Sequence, residues 1–339
     1  MTATAEKTSL AGYLAAADPA IAGIVGAIAR VAAQLSLVVS RGPLEPGFVV
    51  TAGDSADADT QNPLDILADR AFAAELAGSE VRWFASEERA GAEPLNPQGH
   101  LALALDPLDG ATNIGTNVSI GTIFSLYPAA GDIEASFMRP GREQIAAGYV
   151  IYGPQTAMLV TLGAGVAYFV YDREAGEFIC ADPSLTITDD APEFAINASN
   201  YRHWSQPIRS YIDDCLSGEE GPRGHDFNMR WVASLVAETH RIMMRGGIFL
   251  YPGDARPGYA RGRLRMVHEC APIAMLVEQA GGAATDGCDR LLDQTPAELQ
   301  ARTPFVFGSA DKVARVSAYH DLPASEVAPL FGKRGLFTA

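Results

Sequence analysis

The sequence predicts an α/β fold built in two lobes, and three observations lead there. Helix-period and strand-period runs alternate along the chain without a fixed-period repeat. Two acidic groups each follow a strand-like apolar run, the position from which carboxylates at strand ends face a crevice. The 339 residues suffice for two domains or one large bilobal unit with a substantial core.

Taken in order, residues 19–39 read as an Ala-rich amphipathic helix whose small side chains suit close helix packing. Residues 41–62 read as a mobile Gly/Asp-rich loop that holds Asp54, Asp57 and Asp59. Helix resumes over 63–77, with Pro63 in its first turn. Strands are expected at 81–85, 101–105 and 120–127, the run from His100 alternating as a buried strand. Between 147 and 179, apolar runs joined by Gly163-Ala164-Gly165 and by Asp172-Arg173-Glu174-Ala175-Gly176 predict antiparallel hairpins. A loop over 182–192 then divides an N-terminal lobe, 1–187, from a C-terminal lobe, 188–339. In the second lobe a short strand is expected at 194–197, a helix at 231–244, and extended chain at 247–251 and 264–267. A last helix covers 272–279, with Pro272 near its start and Gly281-Gly282 closing it.

Composition excludes several classes of function. With 48% apolar and 19% charged residues the chain reads as globular and well packed. Lys plus Arg number 25 against 41 Asp plus Glu, a formal charge of −16, which leaves no basic surplus for a nucleic-acid partner. Cys180, Cys215, Cys270 and Cys288 lack zinc spacing and are too sparse for a disulfide scaffold, so reduced thiols and a cytoplasmic location are expected. No signal-peptide pattern is seen, and no uninterrupted apolar run reaches about 18 residues, so no membrane partner is expected.

The chemistry concentrates in Asp106-Pro107-Leu108-Asp109-Gly110-Ala111-Thr112. Two carboxylates at a strand end can hold Mg²⁺, while the N–H groups of a tight turn of small residues hold a phosphate. Glu87-Glu88, after the apolar run Val81-Arg82-Trp83-Phe84-Ala85, supplies a second acidic pair. Asp-Pro and Asp-Gly also form ordinary turns, and Glu-Glu is commonly a solvated pair; the recurrence of acidic groups after separate strands favours a shared metal site. A metal-dependent phosphatase is the reading these residues support.

At this point the chain resembles class I fructose-1,6-bisphosphatase, within the wider Mg²⁺-dependent, lithium-sensitive sugar and inositol phosphatases. The resemblance rests on Ala85-Ser86-Glu87-Glu88, Asp106-Pro107-Leu108-Asp109-Gly110, Val118-Ser119-Ile120-Gly121-Thr122-Ile123-Phe124, Pro140-Gly141-Arg142, Ala146-Ala147-Gly148-Tyr149, Gly247-Ile248-Phe249-Leu250-Tyr251-Pro252 and Arg263-Leu264-Arg265. It implies a layered α/β/α/β/α fold with two mixed-sheet lobes, the metal site at their junction, and a homotetramer. It implies hydrolysis of the 1-phosphate of fructose 1,6-bisphosphate by metal-activated water, with a dual fructose-1,6-/sedoheptulose-1,7-bisphosphatase as the alternative. A non-catalytic regulatory or structural protein on the same fold is a further alternative.

By residue, the resemblance assigns Glu87, Glu88, Asp106, Asp109, Glu269 and the Leu108 carbonyl to two or more Mg²⁺ ions, with Mn²⁺ as a substitute. It gives Asp65 and Glu88 the orientation and deprotonation of water, and Gly110, Ala111 and Thr112 the reacting phosphate. Asn197, Arg230, Tyr251 and Arg263 match the 6-phosphate pocket, Arg230 by reaching an adjacent subunit's site, and Arg265 is expected near the sugar. This chain departs from the family in Ala111 and Thr112 for two serines, in Gly115 for an aspartate, and in Asn200 and Trp231 for tyrosines. His100, Leu101 and Pro128 replace the family's AMP contacts, so AMP insensitivity is expected.

Overall fold

The computed structural model describes residues 8–45 and 62–322; Asp54, Asp57 and Asp59 of the expected loop lie outside the described residues. Three helices come first: α1 (Leu10–Leu14), α2 (Pro19–Arg41) and α3 (Pro63–Leu76). Asp18 caps α2 by accepting from the Ala20 N–H at 2.8 Å, with Pro19 in the first turn, where its missing N–H costs nothing. α3 opens on a reciprocal cap: Asn62 Oδ1 accepts from the Leu64 N–H, and Asp65 accepts from the Asn62 N–H at 2.9 Å.

An eight-stranded sheet follows, built from β1 (Val81–Ser86), β2 (Glu93–Pro94), β3 (Leu101–Asp109), β4 (Ile120–Pro128), β5 (Ala146–Tyr152), β6 (Thr156–Thr161), β7 (Ala167–Asp172) and β8 (Glu177–Asp182). Its order is β2-β1-β3-β4-β5-β6-β7-β8, with the short helix α4 (Ile133–Phe137) between β4 and β5. β1 runs parallel to β3 and the remaining pairs are antiparallel, including the hairpins expected over 147–179. β3 is buried at every one of its nine positions, because both faces of the sheet are covered. His100 lies outside it and pairs with Glu80 at 3.1 Å; the strand starts at Leu101, as expected, and runs on past Leu105 to Asp109.

The second sheet comprises β9 (Glu193–Ala195), β10 (Asn228–Met229), β11 (Ile248–Tyr251), β13 (Ala283–Thr285) and β15 (Phe305–Gly308), in the order β10-β9-β11-β15-β13. A two-stranded ribbon pairs β12 (Leu264–Arg265) with β14 (Arg302–Thr303). The helices of this half are α5 (Gln206–Leu216), α6 (Leu235–Arg245), α7 (Ala271–Gln279) and α8 (Ala310–Asp321).

Three buried clusters divide the molecule into five layers. On one face of the first sheet, Leu103, Leu105, Phe124 and Val150 meet Ile24, Ile28 and Leu35 of α2 and Phe72 of α3. On its other face, Ile123, Tyr149 and Leu159 meet Val236 and Ile242 of α6, Ile273 and Leu276 of α7, and Phe249 and Phe307 of the second sheet. Beyond that sheet, Phe194, Leu250 and Val306 pack on Ile208 and Ile212 of α5 and Val313 and Val316 of α8. The order is α/β/α/β/α, as the resemblance implied, with both sheets mixed. α2 is long and apolar enough to cross a bilayer by length and composition, yet Ile24, Val25, Ile28, Val31 and Leu35 sit in the core. Core packing accounts for its apolarity.

Two elements correct the sequence reading. The helix expected at 231–244 begins at Leu235, because Ala233 takes a left-handed φ of 61° and Ser234 caps the helix by accepting from the Ala237 N–H. Trp231 precedes it and stacks on Phe249 at 6.0 Å. The extended run expected at 264–267 stops at Arg265, and residues 266–270 form a π-helical turn leading into α7. α5, β15 and α8 had not been assigned from sequence.

Candidate active site

The site is assembled by a bulge in β3. Its register against β4 passes from Asp106 opposite Ile123 to Asp109 opposite Gly121, one more step on β3 than on β4. Residues three apart on a regular strand point to opposite faces, and the extra residue brings Asp109 back beside Asp106. Thr122 Oγ1 fixes the bulge by donating to the Pro107 carbonyl at 2.8 Å. Leu108 lies in the same bulge, outside the registered pairs.

Glu269, from the π-helical turn before α7, completes the cluster. Carboxylate oxygens of Asp106, Asp109 and Glu269 lie within 4.8 Å of one another, all three residues buried. Glu87 and Glu88 follow β1, alongside β3, and the Glu87 N–H donates to the Leu105 carbonyl at 2.9 Å. Arg265 links the two groups: its Nε donates to Glu87 Oε1 at 2.6 Å and its backbone N–H to Glu269 Oε2 at 2.6 Å. Asp109 Oδ2 accepts from the Val236 N–H at 2.8 Å and from Ser234 Oγ at 3.3 Å, so the start of α6 holds it.

Crowding of like charge is visible in the acidities. Burial, then Glu87, Asp109, Glu269 and Glu88, holds the Asp106 carboxyl well above the usual range. Burial, then Glu87 and Asp109, does the same to Glu269. Asp109 is pushed up to about 6 by burial, opposed by the Val236 N–H. Asp65 is likewise raised to about 6, by burial and then by Glu87 against the Asn62 hydrogen bond. Its Oδ2 faces Asn62, while Oδ1 is buried and has no hydrogen-bond partner among the described residues.

Gly110 follows at φ +86°, a conformation glycine alone adopts without strain, and an added Cβ would stand 3.3 Å from Ser234 Oγ. Ala111 and Thr112 continue into a 3₁₀ turn, closed by the Asn113 N–H donating to the Gly110 carbonyl at 2.7 Å.

Of the residues expected around a remote phosphate, the structure brings Tyr251 and Arg263 together. Burial makes the Tyr251 hydroxyl a weaker acid than usual, and the Arg263 guanidinium opposes that shift. Asn197 is apart from them in the hydrogen-bond pattern: it caps a 3₁₀ turn, its Oδ1 accepting from Ser199 Oγ at 2.6 Å and from the Ser199 N–H at 3.2 Å. Arg230 is half-exposed and faces Glu193 at 3.4 Å. Burial opposes ionisation of Glu193, but Arg245, Arg241 and Arg230 hold its carboxyl below the usual range. Sequence reasoning missed Ser234, the Val236 N–H, Glu193 and Tyr259. Only Ser234 had a readable signal, as a cap ahead of an apolar helical run.

The donors fit a hard divalent cation. All are carboxylate oxygens, three of the groups are buried within one ion's reach, and the buried orphan Asp65 Oδ1 adds another acceptor.

Known proteins share this sequence and fold. Family models described as the N-terminal and C-terminal domains of fructose-1-6-bisphosphatase match residues 16–183 and 187–321. A class 1 fructose-1,6-bisphosphatase of Bradyrhizobium sp. (strain BTAi1 / ATCC BAA-1182) is 60% identical over 333 residues, 98% of each chain. The chain belongs to the class 1 fructose-1,6-bisphosphatase family. The family member of Paracoccus denitrificans is 59% identical, covering 92% of this chain and 94% of its own. The crystal structure of Leishmania major fructose-1,6-bisphosphatase in holo form superposes with a TM-score of 0.86 at 32% identity, over 94% of this chain and all of that one. Membership of the fructose-1,6-bisphosphatase family therefore accounts for the two-sheet fold.

Proposed function

We propose that the chain hydrolyses the 1-phosphate of fructose 1,6-bisphosphate, in a Mg²⁺-dependent reaction giving fructose 6-phosphate and inorganic phosphate. The observation that carries this reading is the buried carboxylate cluster of Asp106, Asp109 and Glu269 beside the Gly110 turn, in a chain of this family. Glu87, Glu88, Asp106, Asp109, Glu269 and the Leu108 carbonyl would hold two or more Mg²⁺ ions, Mn²⁺ substituting. When bound, these ions supply Lewis-acid stabilisation of charge on the reacting phosphate and the leaving oxygen. Asp65 and Glu88 would orient water and accept its proton, a role for which the buried Asp65 Oδ1 offers an acceptor.

The N–H groups of Gly110, Ala111 and Thr112 cradle the reacting phosphate. Asn197, Tyr251 and Arg263 hold the remote one, aided by Arg230 of the partner subunit in a homotetramer. Arginine offers paired donors in a fork that matches phosphate, giving direction as well as charge. Arg265 orients Glu87 and contacts the sugar-proximal region. The reading places the protein in the cytoplasm and keeps the lobe division at 187/188, supported by β8 ending at Asp182 and β9 starting at Glu193.

Values of kcat/KM measured side by side with fructose 1,6-bisphosphate and sedoheptulose 1,7-bisphosphate test the substrate. The fructose ester is expected to be preferred, and no turnover of either by folded, Mg²⁺-loaded protein would remove the reading. For the subunit boundary, mixing Arg230→Ala with Asp109→Asn protein is expected to give activity above either parent after subunit exchange. Failure to recover activity in confirmed hybrids would place Arg230 in its own subunit's site.

A further inference from the structure

The connection between β11 and β12 holds a cluster of which the proposed function uses Arg263 alone. Residues 254–262 fold back on themselves around Tyr259, whose backbone is fixed at three points. Its N–H donates to the Arg256 carbonyl at 3.0 Å, and its carbonyl accepts from the Asp254 N–H at 3.1 Å and the Gly262 N–H at 2.9 Å. A side chain on a loop so tied has few alternative placements, and a tyrosine ring loses little further entropy on being ordered.

On this anchored ring two cations converge. The Arg256 guanidinium lies 4.1 Å from the ring centroid and that of Arg263 lies 5.0 Å from it. Arg263 Nη1 also donates to the Tyr259 hydroxyl at 2.6 Å. Arg256 is held from behind by the buried carboxylate of Asp254, through bonds from Nε at 3.0 and 3.1 Å. Two like charges would otherwise push each other apart, and the Tyr259 ring with Asp254 offsets that repulsion. Both guanidiniums act on Tyr251, whose hydroxyl also feels Glu269 of the acidic cluster.

We propose that Tyr259 is a positioning residue for the remote phosphate: through its hydroxyl and ring it fixes the direction in which Arg263 presents its guanidinium, and so favours a bisphosphate substrate. The inference rests on the reading that Arg263 binds that phosphate. Arginine has four side-chain torsions, and an unanchored guanidinium would have to be ordered by each incoming substrate, at a cost in affinity. Chemistry at the opposite phosphate does not involve Tyr259, so its loss acts on KM.

The test is steady-state phosphate release from fructose 1,6-bisphosphate at saturating Mg²⁺ by the full chain, Tyr259→Phe, Arg263→Ala and the double variant. Tyr259→Phe keeps the ring and removes the hydroxyl bond; its KM is expected to rise about five- to tenfold with kcat within about twofold. Arg263→Ala is expected to raise KM further, and in that background Tyr259→Phe is expected to change KM by less than about twofold. An unchanged KM in Tyr259→Phe beside a raised KM in Arg263→Ala overturns the inference and leaves the remote-phosphate reading standing. Equal effects of Tyr259→Phe in both backgrounds also overturn it, since Tyr259 would then act independently of Arg263. An unchanged KM in Arg263→Ala removes the remote-phosphate reading, and the inference with it. A lowered thermal midpoint with a loss of kcat in place of the KM change marks a structural role and counts against positioning.

Discussion

Asp109 joins more of the account than any other residue. It belongs to the buried acidic triad and is held by the Val236 N–H and Ser234 hydroxyl. Asp109→Asn keeps the shape and removes the charge, so kcat at saturating Mg²⁺ should fall by about two orders of magnitude or more while the thermal midpoint holds or rises. Near-parental turnover would take Asp109 out of the catalytic set. Asp65 gives a prediction about pH. Its folded value near 6 lies above the ordinary 3.8, so the folded chain binds this proton more tightly than the unfolded chain does. That contribution to stability is fully present below 3.8 and is lost as pH rises to about 6. Metal-free protein should accordingly lose stability across this window, and Asp65→Asn should flatten that part of the profile. Denaturant midpoints of both proteins from pH 4 to 7 would show it, and parallel profiles would contradict it.

Among the elements, β3 and α6 have to meet closely for Asp109 to be held. Gly121, opposite Asp109, makes this possible, because an added Cβ would stand 2.6 Å from Val236 Cγ1 and would also strike the Val150 carbonyl. Gly121→Ala should therefore push α6 away from β4, costing about 1–3 kcal/mol of stability and lowering kcat as the Val236 N–H leaves Asp109. A variant with unchanged midpoint and turnover would show that α6 does not set the carboxylate. Elements whose signals are local were legible in sequence: Pro63 opening α3, glycine turns in the hairpins, carboxylates directly after apolar strands. The bulge between Asp106 and Asp109 was not, since it exists only relative to β4. The start of α6 was misplaced because Trp231 and Val232 extend its apolar run, while a left-handed Ala233 interrupts the backbone. Tyr259 gave no signal at all, as its meaning lies in two arginines that reach it through the fold.

For the whole molecule, the five layers place an all-carboxylate centre between two sheets, where like charges are buried together. The layering was legible only through the resemblance, because alternating helices and strands do not say which face each helix covers. Such a centre destabilises the chain until cations neutralise it. Removing divalent ions with EDTA should lower the thermal midpoint, and Mg²⁺ should restore it in a concentration-dependent way, by about 2.7 kcal/mol at a hundred times Kd. A midpoint indifferent to Mg²⁺ would argue against a cation in this cluster. The most direct measurement of the central claim is the initial rate of phosphate release from fructose 1,6-bisphosphate by EDTA-treated protein before and after adding Mg²⁺. Negligible release is expected without the ion, and sustained turnover yielding fructose 6-phosphate once it is restored. Equal rates in both conditions, or no release from folded protein with Mg²⁺ present, would contradict that claim.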